Sequence, residues 1–213
     1  MVPASPKIYH ITHLANLPQM VDEALWSDSE RLRRGLDCTI VGMKEIKRRR
    51  LEELTVSCHP TTKVGEYVPF YFCARSIMLY LLYRGNHPDI SYGGGQGPIV
   101  HLEADLHTVI RWAAAKHVRW AFSRTNAGAR YTSFVNELDK LGTLDWDAIA
   151  ANDWTAPTVK EHKQAEFLVE QRFPWKLVER IGVIDETIAL NVTEQLVDAD
   201  HKPEVVVQRN WYY

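Results

Sequence analysis

Apolar positions change their spacing repeatedly along the chain, and each change predicts an element. Residues 7–12 place Ile8, Tyr9 and Ile11 in a short run suited to a strand. After Asn16-Leu17-Pro18, the residues Leu17, Met20, Val21, Ala24 and Leu25 recur every three or four positions, and proline in the first turn fits a helix start. Residues 27–37 are a polar stretch that reads as a loop, and residues 43–54 read as a short basic helix with sparse apolar positions. Residues 67–73 have the aromatic and Val content of a strand, which Pro69 would confine to an edge or a bulge. Ser76 is placed to cap a helix running to Tyr83.

Further along, Asn86-His87-Pro88 and Tyr92-Gly93-Gly94-Gly95-Gln96-Gly97-Pro98 predict a turn-rich loop before a strand at 99–103. A helix follows at 105–116 and a strand at 118–122; Asn126-Ala127-Gly128 then breaks the chain. Residues 131–141 return to helical spacing, residues 144–153 form a second short helix, and strands are expected at 165–169, 181–184 and 203–208. The pattern predicts an α+β fold: a mostly antiparallel, split central β-sheet flanked by helices. No repeat or low-complexity tract interrupts it. With 213 residues and 46% hydrophobic content, the chain is expected to form one domain over residues 1–213.

No apolar run approaches the about 20 residues that a membrane span requires, and the first residues lack a charged-then-apolar leader, so a cytoplasmic protein is expected. Cys38, Cys58 and Cys73 are odd in number and widely separated, which suggests neither a disulfide framework nor a zinc module. Cys73 lies in an aromatic strand and reads as a small buried hydrophobe. The net charge is −2, yet residues 31–50 hold eight Lys and Arg against Asp37 and Glu45. Such a cluster either attracts polyanions or forms a solvated helix face, and charge alone leaves both open. The glycines at 93–95 and 97 do not pass from a strand into a helix, and no Lys-Ser or Lys-Thr ends them, so no dinucleotide fingerprint or phosphate loop is present. They read as a turn that lets the backbone approach a ligand or another strand.

Glu166 carries the sharpest chemical signal, because it is a carboxylate set inside the apolar run Ala165-Glu166-Phe167-Leu168-Val169. Carboxylates are rarely buried unless paired or hydrogen-bonded, so Glu166 lies either on the solvated face of an edge strand or at the floor of a cleft. His10, in a strand-like run, reads either as a satisfied structural histidine or as a functional one.

Several segments, in order, resemble one family: Ile8-Tyr9-His10-Ile11-Thr12-His13, Lys47-Arg48-Arg49-Arg50, Tyr67-Val68-Pro69-Phe70-Tyr71-Phe72-Cys73 with Arg75-Ser76, and Gly94-Gly95-Gln96 before Pro98-Ile99-Val100-His101-Leu102. With Lys163-Gln164-Ala165-Glu166 and the closing Trp211-Tyr212-Tyr213, the chain is similar to the DarT-type DNA ADP-ribosyltransferase toxins, in their thymidine-modifying branch, from about residue 7 to the end. The resemblance implies NAD as co-substrate and no metal. It implies Glu166 and Arg50 as catalytic residues, and His10, Thr12, Tyr71 and Arg50 around NAD. Arg75, Met78, Asn126 and Tyr131 would touch DNA, with a substrate-choosing loop between Glu137 and Gln164. The implied partners are single-stranded DNA and a macrodomain antitoxin, with the chain a monomer.

The chemistry requires such residues. Breaking the bond between nicotinamide and its ribose builds positive charge on the sugar, which a carboxylate gripping a ribose hydroxyl stabilises in the transition state. A ring nitrogen of thymine must also lose its proton as it is glycosylated, and Glu166 is the candidate base. Tyr71 would face the nicotinamide, and Arg50 would neutralise pyrophosphate or orient the anionic base. Two other readings stay open: a metal-independent ribonuclease using His10, His13 and Glu166, and a non-catalytic module that binds single-stranded nucleic acid.

Overall fold

The computed structural model describes residues 1–213. Its strands are β1 (Lys7–His13), β2 (Leu25–Trp26), β3 (Tyr67–Tyr71), β4 (Ile99–Asp105), β5 (Trp120–Ser123), β6 (Phe134–Val135), β7 (Glu166–Glu170), β8 (Arg172–Phe173), β9 (Arg180–Val183) and β10 (Glu204–Val207). The helices are α1 (Leu17–Asp22), α2 (Asp28–Arg34), α3 (Lys44–Glu52), α4 (Ile77–Arg84), α5 (Leu106–Lys116), α6 (Trp146–Ala150), α7 (Pro157–His162) and α8 (Glu186–Gln195). Eight strands form one sheet in the order β10-β9-β4-β1-β3-β7-β5-β6, and β2 pairs separately with β8. All pairs in the large sheet are antiparallel except β9 with β10. The fold is α+β, and none of its helices is long and apolar enough to cross a membrane.

The sheet is pinched where β1 meets β3, because only Tyr9 and Tyr71 are paired there, whereas β1 and β4 pair along seven residues. Pro69 explains part of the pinch. Its carbonyl accepts a hydrogen bond from His10 Nδ1 at 2.8 Å, so the nitrogen that lacks a hydrogen also faces β1. Of the edge or bulge expected at Pro69, the edge is corrected: β3 is central, and the ladder that Pro69 cannot complete is the one that opens. Beneath the sheet, Ile8, Phe70, Leu102, Phe122, Phe167 and Phe173 belong to one large apolar core. Phe70 and Phe173 meet at 4.7 Å between ring centroids, their planes tilted by 51°.

Two further expectations fail for identifiable reasons. Residues 28–34 are helix α2, not loop, although no residue of this helix is buried. Its ends hold it: Ser27 Oγ accepts from Glu30 N, and Gly35 takes the left-handed conformation at φ 67°. Glu30 also pairs with Arg33 and Arg34 one turn away. Residues 131–141 are not a helix: Phe134 and Val135 pair with β5, and Leu138–Thr143 is a 3-10 turn. Here burial of Phe134 against the β5 edge overrides helical spacing. Leu25 leaves the expected first helix to pair with Phe173, and α7 and α8 had no counterpart in the apolar pattern.

Candidate active site

Glu166 is the first residue of β7, flanked by Tyr71 on β3 and Ser123 on β5. Strands pair on both sides of it, so the edge-strand alternative is excluded, and its side chain is 1% exposed. Burying a charge that deeply requires partners. Oε1 accepts from Arg50 Nη2 at 2.5 Å and from the Ala127 amide at 2.9 Å. Oε2 is buried with no hydrogen-bond partner, and so is Nε of Arg50. An acceptor and a donor are thus both left unsatisfied at one ion pair. Unpaired buried polar atoms cost roughly 1–3 kcal/mol each, and their presence at a cleft marks a place that a ligand completes.

Arg50 comes from the last turn of α3, and its side chain is 13% exposed. Burial disfavours the guanidinium charge, but Glu166 more than compensates, so its pKa lies above the usual value. The loop after β5 supplies the second grip. Asn126 Oδ1 accepts from Gly128 N at 2.7 Å and Asn126 Nδ2 donates to Gln164 Oε1 at 3.2 Å, which aims the Ala127 amide at Glu166. Gly128 is required for close approach: a Cβ there would sit 2.8 Å from Ile46 Cγ2 and 3.3 Å from Arg50 Nε. Ala127, Ser123 and Gln164 were not singled out from the sequence as parts of the site. Their contributions pass through backbone amides or short polar side chains, which carry no signal by residue type.

A cleft of about 240 Å³ opens in front of this pair, and His10, Thr12, Tyr71, Met78, Arg50 and Asn126 line it. Glu166 lies behind Arg50 and Tyr71 and does not itself form the cleft surface. His10 and Thr12 alternate onto one face of β1, while His13 turns away and caps the next turn through Ala15 N at 3.0 Å. The geometry therefore does not bring His10 and His13 together as an acid–base pair. Pro69 O can only accept, so His10 Nδ1 carries the hydrogen. Burial lowers the His10 pKa, so the ring is neutral and its Nε2 is an acceptor. Burial, with Glu166 adding, pushes the Tyr71 hydroxyl well up, and it stays protonated.

The outer wall is the strap of residues 36–43 between α2 and α3. Asn16 clasps it: its Oδ1 accepts from Thr39 N at 2.8 Å, and its Nδ2 donates to Thr39 O and Thr12 Oγ1, each at 3.0 Å. Arg31 also lines the cleft; its Nε is buried without a hydrogen-bond partner, 3.9 Å from Asp28 Oδ1, and its Nη1 donates to Leu36 O at 3.0 Å. Much of the cationic surplus of residues 31–50 is neutralised at home. Arg33 and Arg34 pair with Glu30, Lys47 with Asp28, and Arg48 with Glu45, Glu52 and Glu53. Of the two readings of that cluster, the solvated and paired face describes most of it.

Two expected DNA contacts lie outside the cleft. Arg75 sits over the Tyr213 ring at 4.3 Å and donates to Asn152. Tyr131 is 95% exposed and borders a separate depression with Arg124 and His162.

Residues 9–213 match the family described as DarT, ssDNA thymidine ADP-ribosyltransferase. A DNA ADP-ribosyl transferase of Thermus aquaticus is 40% identical over 99% of this chain and 90% of its own length. The DarT of Thermus sp. 2.9, solved in complex with ADP-ribosylated ssDNA, superposes with a TM-score of 0.87 at 32% identity, covering 100% of this chain and 99% of that one. Its complex with NAD+ superposes at 0.79, with 31% identity and both chains fully covered. A transferase–glycohydrolase fusion protein of Thermosipho africanus is 24% identical over 92% of this chain, which spans 47% of the fusion. The chain belongs to the DarT family of single-stranded-DNA thymidine ADP-ribosyltransferases.

Proposed function

We propose that residues 1–213 act as one transferase domain, moving ADP-ribose from NAD to a ring nitrogen of thymine in single-stranded DNA. The observation that carries the site assignment is the unsatisfied pair at Glu166 Oε2 and Arg50 Nε. In the first step the Tyr71 side chain that screens Glu166 from the cleft gives way to the nicotinamide ribose, and Glu166 Oε2 accepts a hydrogen bond from one of its hydroxyls. The bond between the sugar carbon and the nicotinamide nitrogen breaks, its electron pair leaves with nicotinamide, and Glu166 stabilises the positive charge on the sugar. In the second step the thymine ring nitrogen bonds to that carbon and its proton passes to Glu166. Thymine presents an N–H beside a carbonyl, which complements the acceptor of Glu166 and the donor of Arg50.

His10 Nε2 and the Thr12 hydroxyl are placed to hold the nucleotide, and Tyr71 to face the nicotinamide ring. Arg50, paired with Glu166, and Arg31, paired with Asp28, both line the cleft and are candidates for pyrophosphate. Met78 and Asn126 border the cleft where the base would enter, with Arg75 beyond it. We assign Tyr131 to strand contact outside the cleft. The protein works as a cytoplasmic, monomeric toxin whose mark a macrodomain antitoxin removes. The fusion of a related transferase to a DNA ADP-ribosyl glycohydrolase supports that pairing.

The test is incubation of the protein with a thymine-containing oligonucleotide, with and without NAD. A mass increase that requires NAD is expected. Cleavage without NAD would support a ribonuclease-like enzyme instead, and a gel shift alone a binding module.

A further inference from the structure

Four aromatic rings gather beside the cleft without a role in it. Tyr80 meets Trp154 at 4.7 Å and Tyr213 at 5.1 Å between centroids, and Tyr83 stacks on Tyr213 at 6.2 Å with planes 24° apart. Tyr80 and Tyr83 belong to α4, whose Ile77, Met78 and Leu81 line the cleft. At 3.6 residues per turn, Tyr80, Arg84 and Tyr83 follow that lining face around the helix, so the rings begin where the cleft ends.

Three cations border the rings. The Arg75 guanidinium lies 4.3 Å over Tyr213, Arg84 is 5.8 Å from the Tyr80 ring, and Lys160 Nζ is 6.0 Å from that of Trp154. None of them has a carboxylate within ion-pair distance, unlike the paired cations of α2 and α3. Asp153, next to Trp154 in sequence, is occupied in capping Thr155. The patch is also incompletely packed. Tyr213 is anchored through its hydroxyl to Arg75 O and Ser76 O, but Tyr83 is 52% exposed and Trp154 half-buried.

Partly exposed aromatic rings interleaved with cations that have no carboxylate partner suit a single-stranded nucleic acid: rings stack bases, and cations track phosphates. We propose that Tyr80, Tyr83, Trp154 and Tyr213 form a stacking platform for nucleobases flanking the target thymine, with Arg75, Arg84 and Lys160 on the adjoining phosphates. The proposal rests on the transferase reading given above. Because every base has a stacking face, the platform selects for strand length and single-strandedness and is tolerant of base identity.

The experiment compares labelling of a trinucleotide with that of a longer single strand carrying the same target. The double variant Tyr83→Ala with Trp154→Ala should lower kcat/KM on the longer strand by about tenfold or more, chiefly through KM. Labelling of the trinucleotide and NAD cleavage without DNA should stay unchanged, and Tyr83→Phe should behave as the unaltered protein. An undiminished preference for the longer strand, or an equal loss on the trinucleotide, overturns the platform. On the unaltered protein, abasic residues in the longer strand outside the central trinucleotide should reproduce the loss; such strands labelled as well as intact ones overturn the proposal even where the variant fails to fold. If no strand is labelled at all, the transferase reading falls and the platform with it.

Discussion

Glu166→Gln isolates the chemistry from the scaffold. In the native side chain, Oε1 accepts from Arg50 and Ala127 while Oε2 has no partner. A glutamine can keep its oxygen on those two donors, so its NH2 takes the Oε2 position. The free acceptor becomes a donor, the charge is lost, and nothing at that position can receive a proton. Losing one preorganised electrostatic contact costs roughly 10²–10³ in rate, and losing a general base roughly 10²–10⁴. Taken together, DNA labelling should fall by about 10⁴-fold or more, equivalent to about 5.5 kcal/mol in the barrier. Stability should also drop, because Arg50 remains buried without a counter-charge, so activity is read well below the melting temperature. The assay is single-turnover labelling of a thymine oligonucleotide, with binding of a non-hydrolysable NAD analogue as the control. A variant that binds the analogue and keeps more than a tenth of the native labelling rate would refute the assignment of Glu166.

Other perturbations probe the parts that hold this pair. Asn16→Ala removes three hydrogen bonds to Thr12 and the strap at Thr39. At about 1 kcal/mol each, that should raise KM for NAD by roughly tenfold or more while kcat changes little; an unchanged KM would show that the strap does not shape the NAD site. Gly128→Ala forces a methyl to within 2.8 Å of Ile46, and overpacking of this kind costs about 1–3 kcal/mol. Its thermal midpoint and labelling rate should fall together, and a native-like variant would mean that α3 yields freely. Buried His101 donates from Nε2 to Ala74 O at 3.0 Å as a neutral ring, and burial lowers its pKa to about 4. The neutral ring therefore favours folding fully above pH 6.5, and that contribution, about 3 kcal/mol, disappears as the pH falls toward 4. Urea midpoints of the native protein should drop across that window more than those of His101→Leu, and parallel curves would exclude His101 as the source.

Strand and helix positions that bury alternating or three-to-four-spaced apolar residues were legible in the sequence. β1, β4, β7, β9, β10, α4 and α5 lie within a few residues of where the pattern puts them. What escaped was fixed by other forces. Helix α2 depends on its caps and on ion pairs within one turn, so no apolar stripe announces it. The strand at Phe134 depends on pairing with β5, which is remote information. At the site, the type of residue at 166 pointed to chemistry, but not the face it occupies, because solvated edge and cleft floor share one sequence pattern. Nor could residue type reveal that the Ala127 amide supports Glu166, since a backbone donor is the same in every residue. Charge counting left both readings of residues 31–50 open, because it does not show that most of these cations find carboxylates one helical turn or one helix away.

The proposed chemistry turns on Glu166 gripping the sugar whose bond to nicotinamide is cut. A crystal structure with a non-cleavable NAD analogue measures this directly. Oε2 should lie within about 3 Å of a hydroxyl on the nicotinamide ribose, with Oε1 still on Arg50 and Ala127. A complex in which that ribose lies away from Glu166, leaving Oε2 without a ligand partner, would contradict it.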